Sequence, residues 1–327
     1  MNKRTIIWLI VAVVILTGST ILCVTRWNAW FVMPAEPEWS GDTLSTRFVT
    51  FNDDTIFACQ LSDTLSMVVL GDVHNTLADS DYVQISALCP DMQCYAQLGD
   101  YVEREQFYYK QLLAHQLQGT LFDSLPILAC PGNHEYLKGV NRQLPVSWYE
   151  SFPLPHNGPA YGLGSTYYVD FRNLRFIAID TEAPLFLSDH TRLNAWAKKT
   201  INSACQPWVV VMMHRPVFST RQGRANPTVW LTLVHALKGA DVIFSGHEHT
   251  YARRGRTLQN DDEPHEPVWL GITSTSHSRT PRTHTRMDTV MVGGPFFEQM
   301  RVTRHELTIH TCQLDGTCID SIALYKR

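Results

Sequence analysis

Acidic, amide and imidazole side chains recur in this chain at one kind of position, directly after a short run of apolar residues. The first instance is the run 67–70, which leads through Gly71 into Asp72 and, two residues on, His74. Similar runs precede the other members of the set, which in full is Asp72, His74, Asp100, Asn133, His134, His214, His247 and His249. Burying so many carboxylates and imidazoles together is very unfavourable without compensating cations, so the set predicts a metal centre.

The donor types restrict the metal. Carboxylate, amide and imidazole ligands without thiolate suit Mn, Zn or Fe. The number of ligand groups indicates two divalent or trivalent ions rather than one. A lone histidine in a globular chain is usually a core or surface residue, and we interpret His115 and His235 in that way. The strand-end histidines differ because they recur together with acidic and amide side chains.

The apolar runs predict the elements that must hold these side chains. Each run is short and is followed by a glycine or a polar residue, which is typical of a buried central strand in an α/β sheet. Functional sites in such folds lie at the carboxyl ends of the strands. The predicted strands therefore deliver the whole set to one sheet edge; they are residues 67–70, 95–98, 126–130, 208–213 and 241–245.

The ordered set of motifs resembles a known family. Gly71-Asp72-x-His74, Gly99-Asp100, Gly132-Asn133-His134-Glu135, His214 and Gly246-His247-x-His249 are similar to the five blocks of the calcineurin-like metallophosphoesterases, and the resemblance covers roughly residues 62–325. It implies that one metal is held by Asp72, His74, Asp100 and His249, and the other by Asp100, Asn133, His214 and His247. Asp100 would bridge the two ions, and His134 would be the non-ligand histidine near the leaving group.

Residues 152–159 and 246–253 also resemble the purple-acid-phosphatase-like branch of that family. That branch typically carries a tyrosine ligand three residues after the bridging aspartate, where this chain has Glu103. We therefore expect the first metal to use His74, without a tyrosinate-bound ferric ion.

The segment 99–104 is similar to a segment of the Ser/Thr phosphatase branch, in which an acidic residue pairs with the motif histidine. That resemblance implies that the Glu103 carboxylate pairs with His134 and assists catalysis. The alternative is that Glu103 is a surface acid at the start of a helix.

Three residues near the ligand segments are candidate substrate contacts. Arg215 follows His214, and Tyr251 and Arg253 follow the His247-x-His249 segment. A guanidinium can bind a phosphate through two parallel hydrogen bonds. For each of these side chains, a solvated surface role is the alternative.

Helices and further strands complete the predicted fold. Apolar residues at helical spacing predict helices around 189–201, 230–237 and 105–118, with Ser188 or Asp189 as a cap of the first. Residues 167–171 and 174–180 predict a hairpin around Arg172-Asn173. Strands outside the strand–helix alternation indicate a second sheet. With the family resemblance, the predicted class is α/β, with two mixed β-sheets packed as a sandwich, flanking helices and a preceding N-terminal transmembrane helix.

The N-terminal residues 1–27 predict a membrane anchor. Ile6 to Val24 contains no charged residue and follows Lys3 and Arg4; about twenty apolar residues span a bilayer as a helix. The basic residues predict a cytoplasmic amino terminus, a membrane contact through residues 5–25 and an extracytoplasmic catalytic domain, periplasmic or extracellular. A cleaved signal peptide, which would give a secreted protein, and a lipidated Cys23 are the alternatives. Residues 28–46 read as a tether, and 47–327 as the metallophosphoesterase domain.

Composition adds few restrictions. The 327 residues, 44% of them hydrophobic, are enough for one large domain or two. The net charge of −4 and the absence of a Lys/Arg run predict no nucleic-acid partner. Oligomeric state is not specified by any sequence feature.

Two functional hypotheses follow. In the first, the protein hydrolyses phosphate esters, with phosphomonoesters favoured. A metal-bridging hydroxide would attack the phosphorus, and His134 would assist the leaving group. In the second, it is a membrane-tethered, non-catalytic metal-binding module that recruits a partner. A module freed from catalysis is expected to lose His134 or a ligand, and none is missing, which favours the enzyme.

Cys312 and Cys318 flank the segment 314–316, which predicts a three-residue hairpin loop with glycine in the left-handed position. In that register Gln313 faces Thr317 and Cys312 faces Cys318. Opposed Cα atoms lie roughly 4.5–5.5 Å apart, within disulfide range. The sequence therefore predicts a disulfide between them.

Overall fold

The computed structural model describes residues 62–103, 117–138, 142–152, 154–183, 187–221, 226–255, 258–259, 266–282 and 285–326. The predicted membrane segment, the tether and most of the predicted helix 105–118 lie outside these residues. Within the described ranges, no helix combines the length and the apolar character that a membrane crossing requires.

The first of two seven-stranded sheets joins the N-terminal and C-terminal parts of the described chain. In spatial order its strands are β3 (Ile127–Ala129), β2 (Cys94–Gln97), β1 (Leu65–Leu70), β12 (Phe296–Val302), β13 (Glu306–Gln313), β14 (Cys318–Tyr325) and β9 (Leu258–Gln259). Strands β1 to β3 are parallel, whereas β12, β13 and β14 continue the sheet as antiparallel neighbours.

The second sheet is formed by the middle of the chain. Its strands in spatial order are β11 (Thr289–Met291), β8 (Tyr251–Arg254), β10 (Val268–Gly271), β7 (Val242–Ser245), β6 (Trp208–Met213), β5 (Leu174–Ile179) and β4 (Tyr167–Asp170). The four central strands, β10, β7, β6 and β5, are parallel, and antiparallel strands flank them on both sides. The two mixed sheets confirm the predicted architecture.

Alternate residues of β6 divide between two hydrophobic cores, as the two-residue period of a strand requires. Val210 and Met212 belong to the core that also contains residues of the first sheet. Val211 and Met213 belong to the second core, where they join Leu193 of a flanking helix. The second sheet therefore packs against the first sheet on one face and against helices on the other.

Four α-helices occur among the described residues: α1 (Asp79–Leu88), α2 (Val146–Ser151), α3 (Leu187–Asn202) and α4 (Pro227–Leu233). Short 3₁₀ turns cover Leu121–Asp123 and Ala160–Gly162. The predicted apolar face of α3 is confirmed, because Leu193, Ala197 and Ile201 are buried. The predicted cap is wrong: α3 begins at Leu187, so Ser188 and Asp189 lie inside the helix.

The five predicted site-bearing strands are present, and each ends just before its polar residues. Strand β1 ends two residues before Asp72, and β2 ends three residues before Asp100. Strand β6 ends immediately before His214, and β7 ends two residues before His247. The parallel strands of both sheets thus bring their carboxyl ends to one side of the sandwich.

The predicted hairpin near the C-terminus forms, but its disulfide does not. Cys312 and Cys318 are register partners, and Gln313 N donates to Thr317 O at 2.9 Å, as predicted. Both cysteines are nevertheless free thiols. The exposed Cys318 Sγ lies 3.1 Å from Asp320 O on its own strand, whereas Cys312 is buried. The predicted register is therefore confirmed, and the two thiols interact across the hairpin without a covalent bond.

Glu298 on β12 is a fully buried carboxyl group. Thr311 Oγ1 donates to Glu298 Oε2 at 2.7 Å, and Glu298 Oε1 has no hydrogen-bond partner among the described residues. Burial raises the pKa of Glu298 from 4.5 to about 8, and the nearby Asp320 adds to that rise. The folded protein therefore holds a proton on Glu298 at pH values where the unfolded chain has released it.

Replacing Glu298 by Gln should change how stability depends on pH. Between pH 4.5 and 8 the folded state binds more protons at this group than the unfolded state, so the group makes stability fall as pH rises, by about 1.4 kcal/mol per pH unit. In urea unfolding, Glu298→Gln should lose less stability than the unmodified protein between pH 5 and 8. The partly exposed Glu306→Gln is the control. An identical decline in Glu298→Gln and the unmodified protein would show that Glu298 titrates normally.

Candidate metal centre

Two groups of side chains with the spacing needed to hold a cation share one carboxylate, Asp100. Within each group, one ligand atom per residue lies within 4.8 Å of all the others. The first group is Asp72, His74, Asp100 and His249, and the second is Asp100, His214 and His247. These are the groups that the sequence resemblance implied, apart from the amide residue Asn133. Asn133 lines the cavity above them.

The imidazole nitrogens point at each other and at the carboxylates. In the first group, His74 Nε2 lies 3.0 Å from His249 Nε2 and 3.6 Å from Asp100 Oδ2. In the second group, His214 Nε2 lies 3.2 Å from both Asp100 Oδ2 and His247 Nδ1. Two nitrogens that face each other can share at most one proton. At least one lone pair of each facing pair therefore remains available to bind a cation.

The opposite nitrogens of two rings are held by backbone acceptors outside the cluster. Such contacts fix the tautomer and the ring orientation of metal-binding histidines. These contacts are His214 Nδ1 with Leu98 O at 2.9 Å and His249 Nδ1 with His277 O at 2.9 Å. His74 Nδ1 lies 3.2 Å from Glu103 Oε2, without hydrogen-bond alignment. The donor set therefore fits cations with oxygen and nitrogen ligands.

Burial and the charges within the cluster shift the pKa values of its members in both directions. Burial lowers the pKa of His74 and of His249 to about 4, so both rings are neutral at physiological pH. Burial also raises the pKa of Asp72 well above its ordinary value. Burial opposes ionisation of Asp100 and His214 as well, but their mutual attraction outweighs it. That attraction lowers the pKa of Asp100 and raises that of His214 to about 10.

Most of the candidate ligands have left-handed backbone conformations. Outside glycine, such conformations are uncommon and cost on the order of 1–3 kcal/mol when the residue is strained. They occur at Asp72 (φ 52°), His74 (φ 50°), Asn75 (φ 55°), Asp100 (φ 51°), His247 (φ 72°) and His249 (φ 51°). Strain of this kind concentrates at functional sites. The strand-end pattern did not predict it.

Two glycines make room for the carboxylates. A Cβ atom added at Gly132 would lie 2.3 Å from Asp100 Oδ1, and one added at Gly246 would lie 2.4 Å from Asp72 Oδ2. Neither distance is compatible with a side chain. The glycine in each motif is therefore needed because a carboxylate from another loop occupies the space beside it.

Glu135 holds the loop that carries Asp100. Its buried carboxylate accepts hydrogen bonds from the backbone N–H groups of Asp100 (2.7 Å), Tyr101 (2.8 Å) and Gly132 (2.7 Å). Burial and the neighbouring Asp100 raise the pKa of Glu135 to about 7, against the effect of these hydrogen bonds. Glu135 therefore supports the backbone of the centre and has no atom in either candidate ligand group.

The predicted ion pair between the Glu103 carboxylate and His134 is not formed, although ligand atoms of His74, Glu103 and His134 all lie within 4.8 Å of one another. His134 Nδ1 is hydrogen-bonded to the backbone carbonyl of Glu103. The Glu103 carboxylate, 60% exposed, instead lies near His74 Nδ1, without hydrogen-bond alignment. His134 Nε2 lies 3.9 Å from Asp100 Oδ2, at the edge of the cluster.

Tyr251 and Arg253, predicted as candidate substrate contacts, do not reach the cavity. Tyr251 is fully buried, and its hydroxyl donates to Asp320 Oδ2 at 2.7 Å. Arg253 Nε donates to the same oxygen at 2.7 Å. Both side chains therefore connect the second sheet to β14 of the first. They follow the ligand segment in sequence, but β8 turns them towards the neighbouring sheet.

Arg215 does face the site. Its Nη1 lies 2.9 Å from His247 Nε2, and Nη2 donates to Asn133 Oδ1 at 3.4 Å and to Glu182 Oε2 at 3.1 Å. Glu182 is buried and also pairs with Arg142. Sequence reasoning missed Glu182, although it follows β5 just as the predicted ligands follow their strands.

An open cavity of about 490 Å³ lies above the two groups. Ligand-group residues, His134 and several cationic side chains line it; the full lining is His74, Asp100, Glu103, Asn133, His134, Tyr136, Leu137, Lys138, Arg142, Arg215, Arg221, His247, His249, His277 and Arg279. The candidate metal centre is thus accessible to a small-molecule ligand from one side.

A sequence model of the family described as calcineurin-like phosphoesterase matches residues 65–251. Purple acid phosphatase 15 of Arabidopsis thaliana is 25% identical over 163 residues, which is 47% of this chain and 30% of that protein. Acid phosphatase type 7 of Mus musculus is 26% identical over 153 residues, or 40% of this chain and 33% of that protein. The chain thus matches about a third of the length of these relatives.

Solved structures share the fold. A purple acid phosphatase from yellow lupin (Lupinus luteus) seeds superposes with a TM-score of 0.65 at 16% identity, over 81% of this chain and 54% of that chain. GAP50, the anchor in the inner membrane complex of Plasmodium, gives a TM-score of 0.58 at 14% identity, over 81% of this chain and 89% of that chain. At these identities the likeness concerns the fold.

Proposed function

The chain belongs to the calcineurin-like phosphoesterase family, and we propose that it hydrolyses phosphate esters in the cavity above the candidate metal centre. The observation that carries this proposal is the pair of ligand groups that share Asp100 on the floor of an open cavity. His134 and Arg215 line the same cavity.

The proposal assigns two cations to the centre. One would be held by Asp72, His74, Asp100 and His249, and the other by Asp100, Asn133, His214 and His247. Mn, Zn and Fe all suit these donors. When bound, such ions neutralise phosphoryl oxygens and lower the pKa of a coordinated water. His214 pairs with Asp100 as an imidazolium at neutral pH and would release its proton when a cation binds.

His134 is positioned to assist the leaving group. Its Nδ1–H donates a hydrogen bond to the Glu103 carbonyl, and this is possible for both the neutral and the charged ring. Nε2 then carries a transferable proton in the imidazolium form. That nitrogen lies at the cavity, 3.9 Å from Asp100 Oδ2. In this role it would protonate or stabilise the departing oxygen.

Arg215 would bind a phosphoryl oxygen. Glu182 orients its guanidinium through Nε and Nη2, so little side-chain entropy remains to be lost on binding. We favour phosphomonoesters as substrates because the detected relatives are named acid phosphatases. The proposal retains the extracytoplasmic placement expected from residues 5–25.

The test is turnover by metal-stripped protein after Mn, Zn or Fe is added. We expect hydrolysis of p-nitrophenyl phosphate, with a lower rate for the diester bis-p-nitrophenyl phosphate. The protein without added metal is the control. If both metals bind and neither ester is hydrolysed, the proposal fails, and the tethered module that recruits a partner becomes the better account.

Asp100→Asn should remove both metals together. The carboxylate of Asp100 lies 3.6 Å from His74 Nε2 and 3.2 Å from His214 Nε2, between the two groups. An amide lacks the charge that offsets two cations, so metal analysis after gel filtration should find neither ion. The surface variant Asp91→Asn should keep both. Loss of a single metal, with about half the activity retained, would contradict the shared role of Asp100.

Glu103→Gln should weaken the metal held by His74. Its carboxylate lies 3.2 Å from Nδ1 of that ring and would become its acceptor once a cation binds Nε2; losing such a partner typically reduces metal affinity by about 10–100-fold. His134→Asn should leave both affinities near those of the unmodified protein, because His134 is in neither proposed ligand set. Competition with a chelating dye measures both, with the exposed Glu150→Gln as the control. If Glu103→Gln keeps its metal affinity and loses activity only towards substrates with poor leaving groups, the result would instead support a pairing of Glu103 with His134.

A further inference from the structure

Cationic side chains are concentrated around the cavity. Five line it, whereas only two carboxylates, Asp100 and Glu103, do so. The five are Lys138, Arg142, Arg215, Arg221 and Arg279. The chain as a whole carries a net charge of −4. This local excess of positive charge therefore departs from the rest of the molecule and favours anionic ligands in the cavity.

Two of the five are held beside the candidate metal centre. Arg142 and Arg215 both pair with Glu182, a buried carboxylate that is 2% exposed. Arg215 also reaches Asn133 and His247. These two guanidiniums are thus fixed where the phosphoryl group next to the metals would lie.

Lys138 and Arg279, here called the outer cations, line the same cavity but have a different environment. Both are exposed, and neither has a carboxylate in ion-pair range among the residues that the structure describes. Lys138 comes from the loop after β3, and Arg279 comes from the segment after β10. The cavity therefore has two outer cations that are not engaged in an internal ion pair.

The segments that carry Arg279 and Arg221 are attached to the loop that carries His247 and His249. Arg279 N donates to His249 O at 3.3 Å, and His277 O contacts His249 Nδ1 at 2.9 Å. Arg221, also at the cavity, donates from its backbone N to the buried Glu248 Oε2 at 2.5 Å. The backbone positions of Arg221 and Arg279 are thereby set relative to the candidate metals.

We propose that Lys138 and Arg279, together with Arg221 at the same cavity, bind a second phosphate group of the substrate. This inference rests on the proposed function and narrows it to phosphate esters that carry a further phosphate on the same small molecule. A simple monoester has one phosphate group, which would bind to the metals and Arg215. A second phosphate would supply charge-assisted hydrogen bonds to the outer cations. The cavity of about 490 Å³ has room for more than one such group.

Binding of non-hydrolysable probes tests this without relying on turnover. The full chain, loaded with Zn, is titrated calorimetrically with methylphosphonate and with alkane bisphosphonates that have one to three carbons between the two phosphonates. We expect the best bisphosphonate to bind about tenfold more tightly than methylphosphonate, as one or two charge-assisted hydrogen bonds would give.

Two variants test whether the tighter binding of bisphosphonates depends on the outer cations or on the metals alone. The double variant Lys138→Gln/Arg279→Gln should reduce the bisphosphonate advantage by about fivefold or more. Arg304→Gln removes an exposed arginine outside the cavity lining and should preserve the advantage. A ratio near one for every bisphosphonate in the unmodified protein would overturn the inference. So would an advantage that the double variant retains, since it would come from chelation by the metal ions alone.

Measurements of turnover then test the proposed hydrolysis separately from the second-phosphate site. Hydrolysis of p-nitrophenyl phosphate together with equal binding of mono- and bisphosphonates would refute the second phosphate and leave the proposed function intact. A bisphosphonate advantage that depends on Lys138 and Arg279, in a protein that hydrolyses no ester, would support the anion site and refute the proposed hydrolysis.

Discussion

Two carboxylates buried beside each other, Asp72 and Asp100, set the conditions for the rest of the site. Both are at most 1% exposed, and burial together with the charge of Asp100 raises the pKa of Asp72. The local fold relieves this with positively polarised groups: His247 N donates to Asp72 Oδ2 at 2.7 Å, and His134 N donates to Asp100 Oδ1 at 2.9 Å. Backbone donors and imidazoles can offset part of the charge, and cations would offset the remainder. The strained backbone and the glycines beside the carboxylates follow from the same crowding.

The sequence predicted the centre where chain order and strand ends determine position. Hydrophobic runs fix where a buried strand stops, and parallel strands align those stops, so Asp72, His214 and His249 could be placed together before the fold was known. Predictions that depended on side-chain direction failed. The Glu103 carboxylate lies in ion-pair range of His74 rather than of His134, and the Tyr251 hydroxyl hydrogen-bonds to Asp320 on β14 of the other sheet. Neither fact is encoded in local spacing.

Buried glutamates hold the loops of the site, and sequence patterns did not show how. Glu135 ties together the loops after β2 and β3, and Glu182 fixes two arginines. Glu248 points away from the ligands and accepts a hydrogen bond from Ser219 Oγ at 3.0 Å. Each contact links residues distant in sequence. A buried carboxylate that accepts several hydrogen bonds is a strong loop restraint, because leaving such a group unsatisfied is costly.

The centre also lies at a joint between the two sheets. Asp72, His74 and Asp100 come from loops of the first sheet, whereas His214, His247 and His249 come from loops of the second. A cation coordinated by residues of both sheets would bind only when the sheets are packed together. Metal occupancy of the site and stability against unfolding would therefore rise together. In a cell short of the metal, such a protein would lose abundance as well as activity, because the unfilled fraction would be more exposed to proteolysis.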